Sequence, residues 1–241
     1  VEGNPGIGIG PLRKETGAVT YDPGFMNTAN AKSSITYIDG DEGILRYRGY
    51  PIEQLAEQST FLEVAYLLVH GNLPTQSELD AWTEEITVHT FVHENVKKFM
   101  EGFRYDAHPM GMLMASVGAL ATFYPESRNI NDADNRHMQI VRMIAKMPTL
   151  VAMTYKYSVG QPFNYPDNEL DYASNFLNMC FSVPAEDYVV DPILARAMDR
   201  IVELALERAA VQRGVDAHLA RDRVEQGPAQ HRPPVDGSER Q

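Results

Sequence analysis

The chain has 241 residues, 44% of them hydrophobic and 22% charged. That suffices for one large domain with an appendage, and it excludes wholesale disorder, a collagen repeat and a coiled-coil rod. Lys and Arg number 21 against 33 Asp and Glu, a formal net charge of −12, the wrong sign for binding nucleic acid or an anionic membrane through overall charge. The single cysteine, Cys180, cannot close an internal disulfide, so a secreted disulfide scaffold is excluded and a cytoplasmic location is expected.

No basic segment followed by an apolar block lies near Val1, so no signal peptide is expected, and the missing initiator Met suggests an incomplete N-terminus. Gly6, Gly8 and Gly10 have GxGxG spacing without a preceding strand. Pro11, Arg13 and Lys14 are not expected to open a helix there, so the segment reads as a flexible leader. Strand character is confined to residues 1–50, where Ile35 and Tyr37 face Ile44, Leu45 and Tyr47 across Asp39-Gly40-Asp41-Glu42-Gly43, a β-hairpin pattern. The acidic residues of that turn lack the twelve-residue calcium-loop pattern.

From Pro51 onward the pattern is helical, and the fold class is all-α. Thr60 with Glu63 and Thr75 with Glu78 have capping-box spacing, so helices start near 60 and 75; Gly71 and Pro74 stop the first. Further helices are expected at 84–102, 109–123, 132–159, 171–181 and 191–213, with Pro148 kinking or dividing the 132–159 helix. The uncharged stretch 109–125 is shorter than the ~20 apolar residues that a membrane span needs, so it reads as a buried helix. On it Gly111, Ala115 and Ala119 form a small-residue face, suited to tight core packing or to a subunit contact, with core packing the safer reading. Met110, Met112 and Met114 read as core fillers.

Residues 202–241 differ from the rest: they contain no Phe, Tyr, Trp, Met or Lys, while Ala, Arg, Gly, Pro and Val dominate. Such a segment reads as a disordered tail or as translation in a shifted frame. The organisation expected is therefore a β-rich region at 1–50, part of a large helical domain at 51–201, and an unrelated tail at 202–241.

His89 and His93, four apart with Glu94 beside them, could share a helix face and bind a metal, as in a hydrolase. Thr90 occupies the position where the zinc-protease pattern requires Glu, and a solvated or capping pair is the plainer reading. No convergent nucleophile or acid–base set stands out, so no catalytic residue and no metal ligand is assigned.

Several strings then stand out in order: Val19–Phe25 (VTYDPGF), Ser33–Ala56, His89–Asn95 (HTFVHEN), Phe103–Leu113 (FRYDAHPMGML), Tyr155–Pro166 (YKYSVGQPFNYP), Ala173–Met179 and Asp191–Ile201 (DPILARAMDRI). They resemble citrate synthase of the bacterial type II form, colinearly over about residues 7–201. The resemblance implies a mostly helical large domain with a short N-terminal β-hairpin region and a homo-oligomer formed through that domain. It also implies a metal-free acyltransferase of the tricarboxylic acid cycle, with acetyl-CoA and oxaloacetate as substrates rather than cofactors. In that family an Asp removes a proton from the thioester methyl, one His stabilises the enol, another polarises the ketone, and arginines hold the carboxylates.

The resemblance stops near Ile201. Ala205 and Arg208 stand where two oxaloacetate-site histidines of the family fall, and the downstream His, Asp and Arg motifs have no counterpart in the sequence. Inactivity of this chain is therefore expected, with a non-catalytic helical binding or assembly module as the alternative. The resemblance also implies an allosteric NADH-type pocket around His89, Tyr124, Arg142, Lys146 and Asn168. The sequence departs from it at Val88, where an arginine is expected, and at Ala185, where a cysteine is. Loss of that arginine removes a phosphate clamp.

Overall fold

The computed structural model describes residues 9–21, 33–40 and 42–201. The expectations for Gly6, Gly8, Asp41 and the 202–241 tail, including Ala205, Arg208 and the continuation of the last helix to 213, lie outside those residues. The described residues fall into two compact units, one reaching to residue 52 and the other starting at residue 53.

In the first unit a short helix, α1 (Gly10–Thr16), corrects the reading of that segment as a leader. Pro11 occupies its first turn, where a missing N–H costs nothing, and Gly17 closes it at φ 73° with its N–H on the Arg13 carbonyl. The expected hairpin is present as β1 (Thr36–Asp39) and β2 (Ile44–Tyr47), antiparallel with Ile38 opposite Leu45. Asp39 Oδ1 accepts the Glu42 N–H and fixes the turn. A third strand, β3 (Tyr50–Pro51), follows a two-residue turn whose Arg48 and Gly49 both have positive φ, 51° and 93°. That double left-handed geometry suits the twist of a tight hairpin.

The second unit is built on helices. After α2 (Ile52–Gln58), both predicted capping boxes are present: Thr60 opens α3 (Phe61–His70) and Thr75 opens α4 (Gln76–Thr87), each with its Glu closing the reciprocal bond. Gly71 ends α3 at φ 95°. The single helix expected over 84–102 is two, because residues 88–93 leave helical geometry before α5 (Glu94–Glu101). The cause is competition for the backbone. Lys146 Nζ donates to the carbonyls of His89 and Phe91, and the Thr149 hydroxyl donates to that of Thr90, so these acceptors serve another element.

Next come α6 (Pro109–Leu120), capped by His108, and two short 3₁₀ turns, Ala121–Phe123 and Pro125–Arg128. The long α7 (Ala133–Ser158), capped by Asp132, runs unbroken through Pro148, so the expected division does not occur. Proline cannot donate to the carbonyl four residues earlier, that of Ile144. The Tyr172 hydroxyl supplies the missing donor at 2.9 Å. Tyr172 opens α8 (Tyr172–Phe181), capped by Asp171, and helical residues 192–201 form α9 behind the Asp191 cap.

The α7 helix is the common wall of the core. Val141 and Ala145 pack with Leu62, Trp82 and Ile86 of α3 and α4. Leu150 and Met153 pack with Val96, Met100 and Met112 of α5 and α6. Ala152 packs with Met179 and Cys180 of α8. From α9, the Asp199 carboxylate accepts the Phe61 N–H at the start of α3.

The buried side of α6 is Met112, Ser116 and Leu120, which corrects the core-packing reading of its small face. Met110 and Met114 are 56% and 71% exposed, and a Cβ built on Gly111 or Gly118 would meet nothing within 4 Å. On that face Gly111 and Gly118 are exposed and Ala115 and Ala119 half-buried among the described residues. No helix among the described residues is long and apolar enough to cross a membrane.

Candidate functional site

Lys146 is a buried cation of the second unit. It lies on the buried side of α7, 4% exposed, with two of its three N–H donors on the carbonyls of His89 and Phe91 at 2.6 and 2.5 Å. Burial, together with the charge of Arg142 one turn earlier, lowers its pKa to about 8. Its ammonium also stands 5.7 Å from the centre of the Tyr124 ring. Arg142 lies over the same ring at 4.3 Å and donates to Glu126 Oε1 at 2.5 Å. The Arg142 bond holds the Glu126 carboxyl below its ordinary value, whereas burial raises the Tyr124 phenol.

The 88–93 break supplies the opposite wall. His89 Nδ1 hydrogen-bonds the Glu85 carbonyl at 2.7 Å, which places the ring proton on Nδ1. The Thr90 hydroxyl is 3.2 Å from Asn168 Oδ1. The structure thus brings His89, Tyr124, Arg142, Lys146 and Asn168 into one neighbourhood, the last through Thr90. At the two departures noted in sequence, Val88 is 60% exposed and Ala185 is also exposed.

Glu126, Thr90 and Thr149 were not singled out from the sequence. Glu126 lies in a 3₁₀ turn without periodic signal, and the two threonines act on a backbone whose departure from helix depends on tertiary contacts. Chemically, the neighbourhood is a cation pair with an aromatic floor. Its charge is partly met by Glu126 and by backbone carbonyls, and no nucleophile–base pair is present within it.

His93 does not join His89 in a metal site. Its Nδ1 accepts the Asn95 N–H as the cap of α5, and its ring packs 4.9 Å from that of Phe123. Among the described residues no group of three or more His, Cys, Asp or Glu is arranged to hold a metal ion.

A cavity of about 480 Å³ lies within the second unit, lined by Thr83, Thr87 and Thr90 on one side and Asp171, Asn175 and Asp199 on the other. Burial raises the Asp199 pKa, with Asp171 and Glu63 adding repulsion. Its polar groups are largely engaged in structure: Asp171 caps α8, Asn175 accepts the Asp167 N–H, and Asp199 serves α3.

A family model described as the citrate synthase C-terminal domain matches residues 24–209. The chain belongs to the citrate synthase family. Citrate synthase 1 of Mycobacterium tuberculosis is 52% identical over 200 residues, covering 83% of this chain and 46% of that protein. Among solved structures, citrate synthase from Pyrobaculum aerophilum aligns with a TM-score of 0.67 at 32% identity, over 78% of this chain and 49% of that one. The Thermoplasma acidophilum enzyme, solved as a ternary complex with carboxymethyl coenzyme A and oxaloacetate, aligns with a TM-score of 0.65 at 25% identity, over 74% and 45%. This chain therefore spans about half the length of the citrate synthases it matches, and its mostly helical fold with a small antiparallel sheet is theirs.

Proposed function

We propose that this chain supplies large-domain framework of a citrate synthase, the acyltransferase that condenses acetyl-CoA with oxaloacetate to citrate and CoA, and that these 241 residues alone form no citrate. The observation that carries the proposal is the family match over residues 24–209 combined with the identity of Ala205 and Arg208. Neither alanine nor arginine can act as the neutral or cationic imidazole that would polarise the oxaloacetate ketone. The organisation proposed remains a β-rich region, a helical framework and a compositionally distinct tail. No metal or other cofactor is assigned to it, and a cytoplasmic location is proposed from the single buried cysteine.

The partner proposed is a second copy of this chain. The more exposed side of α6 combines Gly111, Ala115 and Gly118 with the exposed Met110 and Met114, on a helix without a single charged residue. Small residues admit a close helix approach, and a two-fold contact would use the same patch on both chains. No NADH pocket is assigned. Arg142 is already paired with Glu126, Lys146 with two carbonyls, and an exposed valine stands at position 88.

Calorimetric titration of oxaloacetate into the purified chain tests the catalytic half of the proposal. Saturable binding at sub-millimolar concentration would contradict it, and absence of binding at several millimolar is the expected result.

A further inference from the structure

At the junction of α3, α4 and α7, aromatic and titratable side chains pack together on the turns of α4 and α7 that precede those holding Lys146. Tyr66 stacks on His70 with ring centroids 4.1 Å apart. His70 meets Trp82 edge-on, at 5.5 Å and 90°. His137 lies 5.7 Å from His70 and 6.1 Å from Trp82. Its Nε2 is 3.2 and 3.3 Å from the two oxygens of Glu85, the geometry of an ion pair once the ring is protonated. Trp82 is 3% exposed and anchors the junction by donating its indole N–H to the Leu62 carbonyl. The groups facing His70 are thus Tyr66 on its own helix, Glu78 and Glu85 on α4, and His137 on α7. Glu78 is engaged in bonding Thr75 and Tyr66.

We propose that His70 and His137 form a proton-responsive joint, in which protonating His70 beside the His137 ring weakens the packing of α3 and α4 on α7 around Trp82. His70 keeps an exposed side; desolvation of its packed side, followed by the His137 charge, lowers its pKa, and Glu85 and Glu78 oppose that shift. The folded state therefore releases the His70 proton more readily than the unfolded chain does. Stability contributed at this residue is present above the ordinary value of 6.5 and is lost as pH falls through the lower folded value.

The test uses the full chain. Imidazole titrations by NMR follow His70, and fluorescence follows Trp82, the only tryptophan in the sequence, whose emission an adjacent imidazolium quenches. His70→Gln removes the acid-side quenching step. His137→Gln moves the His70 midpoint up, because a like charge is gone, and Glu85→Gln moves it down. The urea midpoint of the wild type falls relative to that of His70→Gln as pH drops through about 7 to 5. His70→Asn gives the same comparison if the glutamine variant does not fold. A His70 midpoint unmoved by either neighbour, or urea midpoints that run parallel with pH, would overturn the proposal.

Discussion

Replacing Tyr172 by Phe removes one oxygen and retains the ring, which stacks on Phe61 at 4.9 Å. The oxygen matters because Pro148 leaves the Ile144 carbonyl without its helical donor, and the Tyr172 hydroxyl is the substitute at 2.9 Å. Losing one partner and leaving a partly buried acceptor unsatisfied costs about 1–2 kcal/mol. For a chain of this size that lowers Tm by about 2–8 °C. Urea denaturation followed by circular dichroism measures the loss. The decisive comparison repeats Tyr172→Phe in a Pro148→Ala background, where the introduced alanine has an N–H able to reach the Ile144 carbonyl. There the penalty should fall to about half or less, a coupling of about 1 kcal/mol between neighbouring residues. An equal penalty in both backgrounds, or none in either, would refute the assignment of Tyr172 as the replacement donor for the proline.

Lys146 has a pKa of about 8, against 10.5 ordinarily, so between these values the unfolded chain binds more protons and stability rises with pH. The rise is about 3 kcal/mol by proton linkage and should be absent in Lys146→Met, as read by urea midpoints from about pH 7 to 11. Thr75→Ala removes one half of a reciprocal cap and should cost about 1 kcal/mol in the same assay, with no change in the far-ultraviolet spectrum of the folded state. Ala115→Trp on the open side of α6 should convert a dimer to monomer, since overpacking of about 1–3 kcal/mol is imposed twice across a two-fold contact. Sedimentation velocity reads that change, and a wild-type monomer at tens of micromolar with an unaltered mutant would contradict the proposed partner.

Local chemistry was legible in the sequence wherever it is local in fact. The capping boxes at Thr60 and Thr75, the Gly71 stop and the Asp39 turn depend on residues within a few positions of one another, and all are present. What the sequence misplaced depends on partners far along the chain. The 88–93 break exists because Lys146 and Thr149, more than fifty residues later, take its carbonyls. The continuity of α7 through Pro148 relies on Tyr172 from the next helix. The α6 face was misread because a stripe of small residues looks the same whether it meets its own core or open space. Of the candidate site, Tyr124 and Arg142 lie beside Lys146, His89 meets it through its carbonyl and Asn168 only through Thr90, while Glu126 and Thr90, which engage the cluster's polar groups, carried no pattern of their own.

The central proposal is that this member of the citrate synthase family supplies framework and not chemistry. Release of CoA thiol from acetyl-CoA in the presence of oxaloacetate, measured on the purified chain beside the Mycobacterium tuberculosis relative, tests it most directly. One missing acid–base group typically lowers rates by about 10²–10⁴, and the whole set has no counterpart in these residues. The expected result is thiol release equal to the protein-free control. Oxaloacetate-dependent turnover within a hundredfold of the relative would contradict the claim.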